Sequence, residues 1–145
     1  MPTFNSFSEE ETQKIGFKTA EKIIKSRKKE KKAQVILLFG DLGAGKTAFT
    51  KGFARFFDID KITSPTFNLM KFYPINKGYS QLIHADLYRI RNKKELDSID
   101  FYKELKNEEN IILIEWPELA GQEISGKKIN FSYGEEENKR IINID

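Results

Sequence analysis

The segment Gly40-Asp41-Leu42-Gly43-Ala44-Gly45-Lys46-Thr47 restricts the possible folds of this chain more than any other. Glycine has no Cβ, so backbone rich in it takes left-handed angles and brings its N–H groups close to a bound anion. Val35-Ile36-Leu37-Leu38-Phe39 leads into the segment as a continuous apolar run, the pattern of a strand buried on both faces of a parallel sheet. From Lys46 onward, Phe49, Phe53, Ala54 and Phe57 recur at near-helical spacing. Strand, glycine loop and helix in that order predict a phosphate-binding loop. The unpaired N–H groups and positive dipole end of the helix then face the phosphates, Lys46 reaches the β- and γ-phosphates, and the Thr47 hydroxyl binds Mg²⁺. The nucleotide-binding stretch expected on this basis is Asp41 to Ala48.

Mg²⁺ keeps several waters and takes only a few protein oxygens, so one or two carboxylates are expected to serve the loop. Asp86 follows the strand-like Gln81 to Ala85, and Glu115 follows the fully apolar Ile111 to Ile114. One of the two is expected to hold Mg²⁺, directly or through water, and the other to orient or deprotonate the attacking water; the residues alone leave open which does which. An acid after an apolar run is equally well a cap or a solvated turn. Thr63-Ser64-Pro65-Thr66 is a break, because Pro65 lacks an N–H and pushes Ser64 away from helical angles. Ser64 and Thr66 are switch-like candidates for sensing the γ-phosphate, with an ordinary proline turn as the alternative. Trp116 is the one tryptophan and His84 the one histidine. The first reads either as a stacking surface or as core, the second as a strand residue beside the site.

Ser8-Glu9-Glu10-Glu11 is a capping box opening a helix that runs to about Ser26. Phe67 to Tyr73 and Tyr79 to His84 flank the turn signal Pro74-Ile75-Asn76-Lys77-Gly78 and predict a hairpin. Glu95 to Leu105 is expected as one helix, and Lys127 to Tyr133 and Lys139 to Ile144 as closing strands joined at Gly134. The fold class that follows is α/β: a three-layer P-loop nucleotide hydrolase with a mixed, mainly parallel central sheet plus an antiparallel hairpin.

With 145 residues, 39% hydrophobic and 32% charged, the chain suits one folded domain spanning 1–145. No apolar stretch approaches the roughly 20 residues that span a bilayer. Met1 to Glu11 lacks the pattern of a signal peptide, so a cytoplasmic protein without membrane partners is expected. The absence of cysteine excludes disulfides and thiolate-bound zinc, leaving oxygen ligands for any metal. Net charge is only +3, and Lys28-Lys29-Glu30-Lys31-Lys32 reads as a solvated loop.

Taken together, Gly40 to Thr47, Ser64-Pro65-Thr66-Phe67, His84-Ala85-Asp86-Leu87-Tyr88-Arg89 and Ile114-Glu115-Trp116-Pro117 resemble the TsaE (YjeE) proteins of bacteria, in that family's order and spacing. The resemblance implies an ATP-binding and ATP-hydrolysing accessory subunit for N6-threonylcarbamoyladenosine (t6A) at position 37 of tRNA. Such a subunit acts with TsaB and TsaD and meets tRNA through that complex. It also implies that Lys46 and Thr47 serve phosphate and Mg²⁺, that Asp86 and Glu115 are the functional acids, and that Trp116 lies near the nucleotide. Glu9 matches a family position near adenine, and Arg140 falls in a strand region with nucleotide contacts. Met70-Lys71-Phe72 departs from a more usual acidic segment. Guanine recognition would call for Asn-Lys-x-Asp, to which only Asn92-Lys93-Lys94-Glu95 comes near; a kinase lid would call for more arginines than the neighbours Arg89 and Arg91.

Overall fold

In the computed structural model, which describes residues 2–26, 30–65 and 68–145, the apolar runs become strands and the 3.6-residue patterns helices. The order is β1 (Thr3–Ser6), α1 (Glu9–Lys25), β2 (Gln34–Phe39), α2 (Lys46–Phe56), β3 (Met70–Lys77), β4 (Tyr79–Asp86), α3 (Lys94–Ser98), α4 (Phe101–Leu105) and β5 (Asn110–Glu115). A 3-10 turn (Pro117–Ala120), β6 (Lys127–Tyr133) and β7 (Arg140–Ile144) complete it. The seven strands form a mixed sheet with parallel and antiparallel pairs, in keeping with the expected α/β class. Among the described residues no helix is long and apolar enough to cross a membrane.

The chain packs as two compact units, and β2 contributes to each. The first comprises Met1–Arg27, Leu38–Ile62 and Lys128–Asp145. Here α1 begins as the capping box requires, with the Ser8 hydroxyl accepting from Glu11 N–H at 3.0 Å. Glu11 reaches back one residue further than the motif predicts, its Oε2 accepting from Phe7 N–H at 3.0 Å. α1 lies hard against α2 because both present glycine where they cross: a Cβ on Gly52 would fall 1.8 Å from the Gln13 carbonyl oxygen, and one on Gly16 2.2 Å from that of Phe49. Beneath them Phe49 meets Phe131 edge to face at 5.4 Å, and Phe49 and Phe53 are fully buried. β7 pairs antiparallel with β1 and with β6, so that Phe4 and Phe131 both lie opposite Ile142. The short β1 has no apolar alternation to announce it; its pairing is through the backbone.

The second unit comprises Lys28–Leu37 and Thr63–Lys127. β4 runs parallel to β5, Leu82 opposite Ile111 and Asp86 opposite Glu115, and β3 pairs antiparallel with β4. The hairpin departs from expectation in where it turns. β3 continues to Lys77 and the reversal falls at Gly78 (φ 73°), while Pro74 sits inside the strand next to a register shift. β3 is the last strand in the order, and a strand edge tolerates a residue that cannot donate. The helix expected over Glu95 to Leu105 is two short helices, because Asp100 takes φ 59°, a left-handed angle that interrupts helical geometry. Leu96 on the first and Phe101 on the second are both buried.

Candidate nucleotide site

In the first unit the glycine loop connects the end of β2 to the start of α2. Gly40, Gly43 and Gly45 take φ of 152°, 79° and 111°, angles that side-chain-bearing residues avoid. The turn closes on itself with Ala44 N–H donating to the Asp41 carbonyl at 3.2 Å. Asp41, Leu42 and Gly43 are exposed while Ala44 is buried beneath them. Lys46 opens α2, is itself 5% exposed, and donates from Nζ to the Gly40 carbonyl at 2.5 Å, which holds its charge over the loop. Thr47 is exposed on the first helical turn, and Ala48 next to it is buried. The first N–H groups of a helix have no partner within it, so this loop and turn have the chemistry to receive an anion.

Two residues from the closing strands support the loop. The Tyr133 hydroxyl donates to the Leu42 carbonyl, and Arg140 Nε donates to the Gly43 carbonyl at 3.2 Å. The guanidinium lies over the Tyr133 ring at 4.6 Å, a cation–π contact. Arg140 therefore belongs to the loop's backbone support, whereas Tyr133 has no sequence signal beyond its place in a strand. Glu9 lies exposed in the first turn of α1, 3.9 Å from Lys51 Nζ.

In the second unit the two acids end adjacent parallel strands. Because side chains alternate, His84 and Asp86 on β4 share a face with Leu113 and Glu115 on β5. Asp86 is half-buried, and its Oδ1 accepts from Tyr88 N–H at 3.0 Å, shaping the turn that follows β4. Glu115 is buried, and its Oε2 lies 2.6 Å from His84 Nε2. A buried carboxylate without a partner would be costly, so this pair makes the burial tolerable. Trp116 follows at φ 57°, a left-handed angle for a bulky residue, with Pro117 after it disfavouring the right-handed helical alternative. It is half-buried, and its ring centroid is 5.0 Å from that of the exposed Tyr88. Thr63 and Ser64 are exposed in the loop before β3. Thr66, with Phe67, lies outside the described residues, as do Lys28 and Lys29 of the lysine run; Lys32 pairs with Glu30 at 3.7 Å in solvent. The oxygen donors Thr47, Asp86 and Glu115 are the kind a hard cation such as Mg²⁺ takes.

A strand, a loop carrying three left-handed glycines and a helix opened by lysine, within a mixed α/β sheet, define a P-loop protein. Residues 6–142 match the model of the family described as threonylcarbamoyl adenosine biosynthesis protein TsaE, and the chain belongs to that family. A Rickettsia conorii protein named tRNA threonylcarbamoyladenosine biosynthesis protein TsaE is 35% identical, over 99% of this chain and 77% of its own length. A Bacillus subtilis protein of the same name is 39% identical over 68% of this chain and 60% of its own length. The crystal structure of Bacillus subtilis YdiB superposes with a TM-score of 0.68 at 30% identity, covering 99% of this chain and 83% of that one.

Proposed function

We propose that this chain binds and hydrolyses ATP as an accessory subunit of t6A formation on tRNA, acting with TsaB and TsaD and meeting tRNA through them. The glycine loop carries the reading: its three left-handed glycines and the lysine at the head of α2 suit a polyphosphate. Membership of a family whose relatives are named for t6A biosynthesis supports the pathway. In this reading the loop backbone and Lys46 bind the β- and γ-phosphates, with Asp41 to Ala48 forming the cradle. Thr47 and one of Asp86 and Glu115 would hold Mg²⁺, which when bound offsets phosphate charge. Asp86 and Glu115 divide the remaining work, one as the carboxylate for Mg²⁺ and the other positioning the attacking water, and the Glu115 carboxylate is buried and hydrogen-bonded to His84. Trp116, Glu9 and Arg140 are assigned to the nucleotide's surroundings, and Ser64 and Thr66 to sensing the γ-phosphate. All of 1–145 serves this task as one domain in the cytoplasm.

The decisive experiment is t6A-tRNA formation over several turnovers with TsaB and TsaD, with and without this chain, alongside ATP hydrolysis. The reading expects product to continue accumulating only when the chain and ATP are both present. Equal product without the chain, or displacement of a bound ATP analogue by GTP at equal strength, would overturn it.

A further inference from the structure

His84 Nε2 is 2.6 Å from Glu115 Oε2, and on the other side of the ring Nδ1 is 3.4 Å from the Thr63 carbonyl oxygen. Both ring nitrogens therefore face oxygen acceptors. The ring is 3% exposed, so solvent does not compete for either contact. Thr63 is itself fastened to β3: its N–H donates to the Tyr73 hydroxyl at 3.1 Å, and its own hydroxyl accepts from Lys71 Nζ. Strand register explains the geometry. His84 lies opposite Leu113, which puts Glu115 two residues further along on the same face, within reach of a ring leaning along the strand. A glutamate side chain has several soft torsions, and a single 2.6 Å hydrogen bond to a buried ring removes much of that freedom.

From this geometry we infer that His84 is the positioning residue for Glu115. It holds Oε2 and leaves Oε1 as the oxygen that serves the hydrolytic site. This inference rests on the hydrolysis reading above, with Glu115 as its acid.

The test compares His84→Ala, His84→Gln and His84→Asn in steady-state ATP hydrolysis with TsaB and TsaD, with ATP affinity measured separately. Gln places an amide N–H where Nε2 stands; Asn places one nearer Nδ1. His84→Ala is expected to lower kcat about 10–100-fold, the usual cost of removing a group that orients a working ligand, with affinity little changed. His84→Gln should recover most of that loss and His84→Asn should not. Equal loss in Gln and Asn would reduce the residue to a packing role and overturn the inference. A second readout needs no turnover. The chain has one histidine, so its imidazole ¹⁵N signals are unambiguous, and Glu115→Gln should shift the Nε2 resonance. An unmoved Nε2 signal, or full kcat in His84→Ala, overturns the positioning role alone. Absence of hydrolysis in the unaltered chain with its partners overturns the ATPase reading and this inference with it.

Discussion

The glycine loop and the Glu115 carboxylate are built in opposite ways. The loop is one uninterrupted stretch from Gly40 to Thr47 whose shape comes from glycine angles and the start of a helix. Glu115 takes its setting from His84, 31 residues away in sequence, and reaches it only because β4 and β5 pair in one register. The loop is thus a local device, sensitive to its own residues. The carboxylate is a tertiary device, and a slip of one residue in the strand pairing would turn it to the other face.

The largest expected effect lies on the carboxylate side. Glu115→Ala should lower ATP turnover about 10²–10⁴-fold, the span usual for a lost acid–base group, while ATP still binds. Single-turnover hydrolysis beside equilibrium binding would test it; a parallel loss of affinity would mean the carboxylate shares the loop's binding role. Lys46→Ala should instead act on affinity, removing a charge-assisted contact worth about 1.5–3 kcal/mol, and calorimetric titration with an ATP analogue would read it. If affinity held and only turnover fell, the proposed division between binding loop and hydrolytic acid would fail.

Gly52→Ala probes how the loop's helix is seated. A methyl 1.8 Å from the Gln13 carbonyl forces α1 and α2 apart, and overpacking of this kind costs about 1–3 kcal/mol. A lower Tm is expected, and an unchanged one would show that the helices adjust freely. The smallest effect is expected for Tyr133→Phe, which removes the hydroxyl that donates to the Leu42 carbonyl, a contact worth about 0.5–1.5 kcal/mol. Weaker analogue binding without loss of fold would sharpen the contrast by showing how far the loop depends on support from outside itself.

Legibility in the sequence follows the same division. α1, β2, α2 and β5 were readable because each carries its own cap, period or apolar run. The hairpin was readable in existence but not in its turn, since Pro74 is a breaker in isolation yet is tolerated on an edge strand. The break at Asp100 is hidden, because Leu96 and Ile99 fit a continuous helix and a left-handed angle at an aspartate leaves no signal in that spacing. Among the site residues, Gly40 to Thr47 announce themselves as a motif. Tyr133 beneath Leu42 and His84 against Glu115 do not, since partners far apart in sequence leave no spacing to read.

The sequence by itself determined the phosphate loop, the flanking strand and helix, and, through four motifs in order, the family. These rest on local steric and hydrogen-bonding requirements that the residues carry with them wherever they fold. Only the tertiary structure decided that Glu115 is buried against the single histidine, that this histidine also faces the Thr63 carbonyl, and that Tyr133 and Arg140 hold the loop's carbonyls. Those contacts depend on strand register and helix crossing, which are set by the packing of the core and not by any one segment.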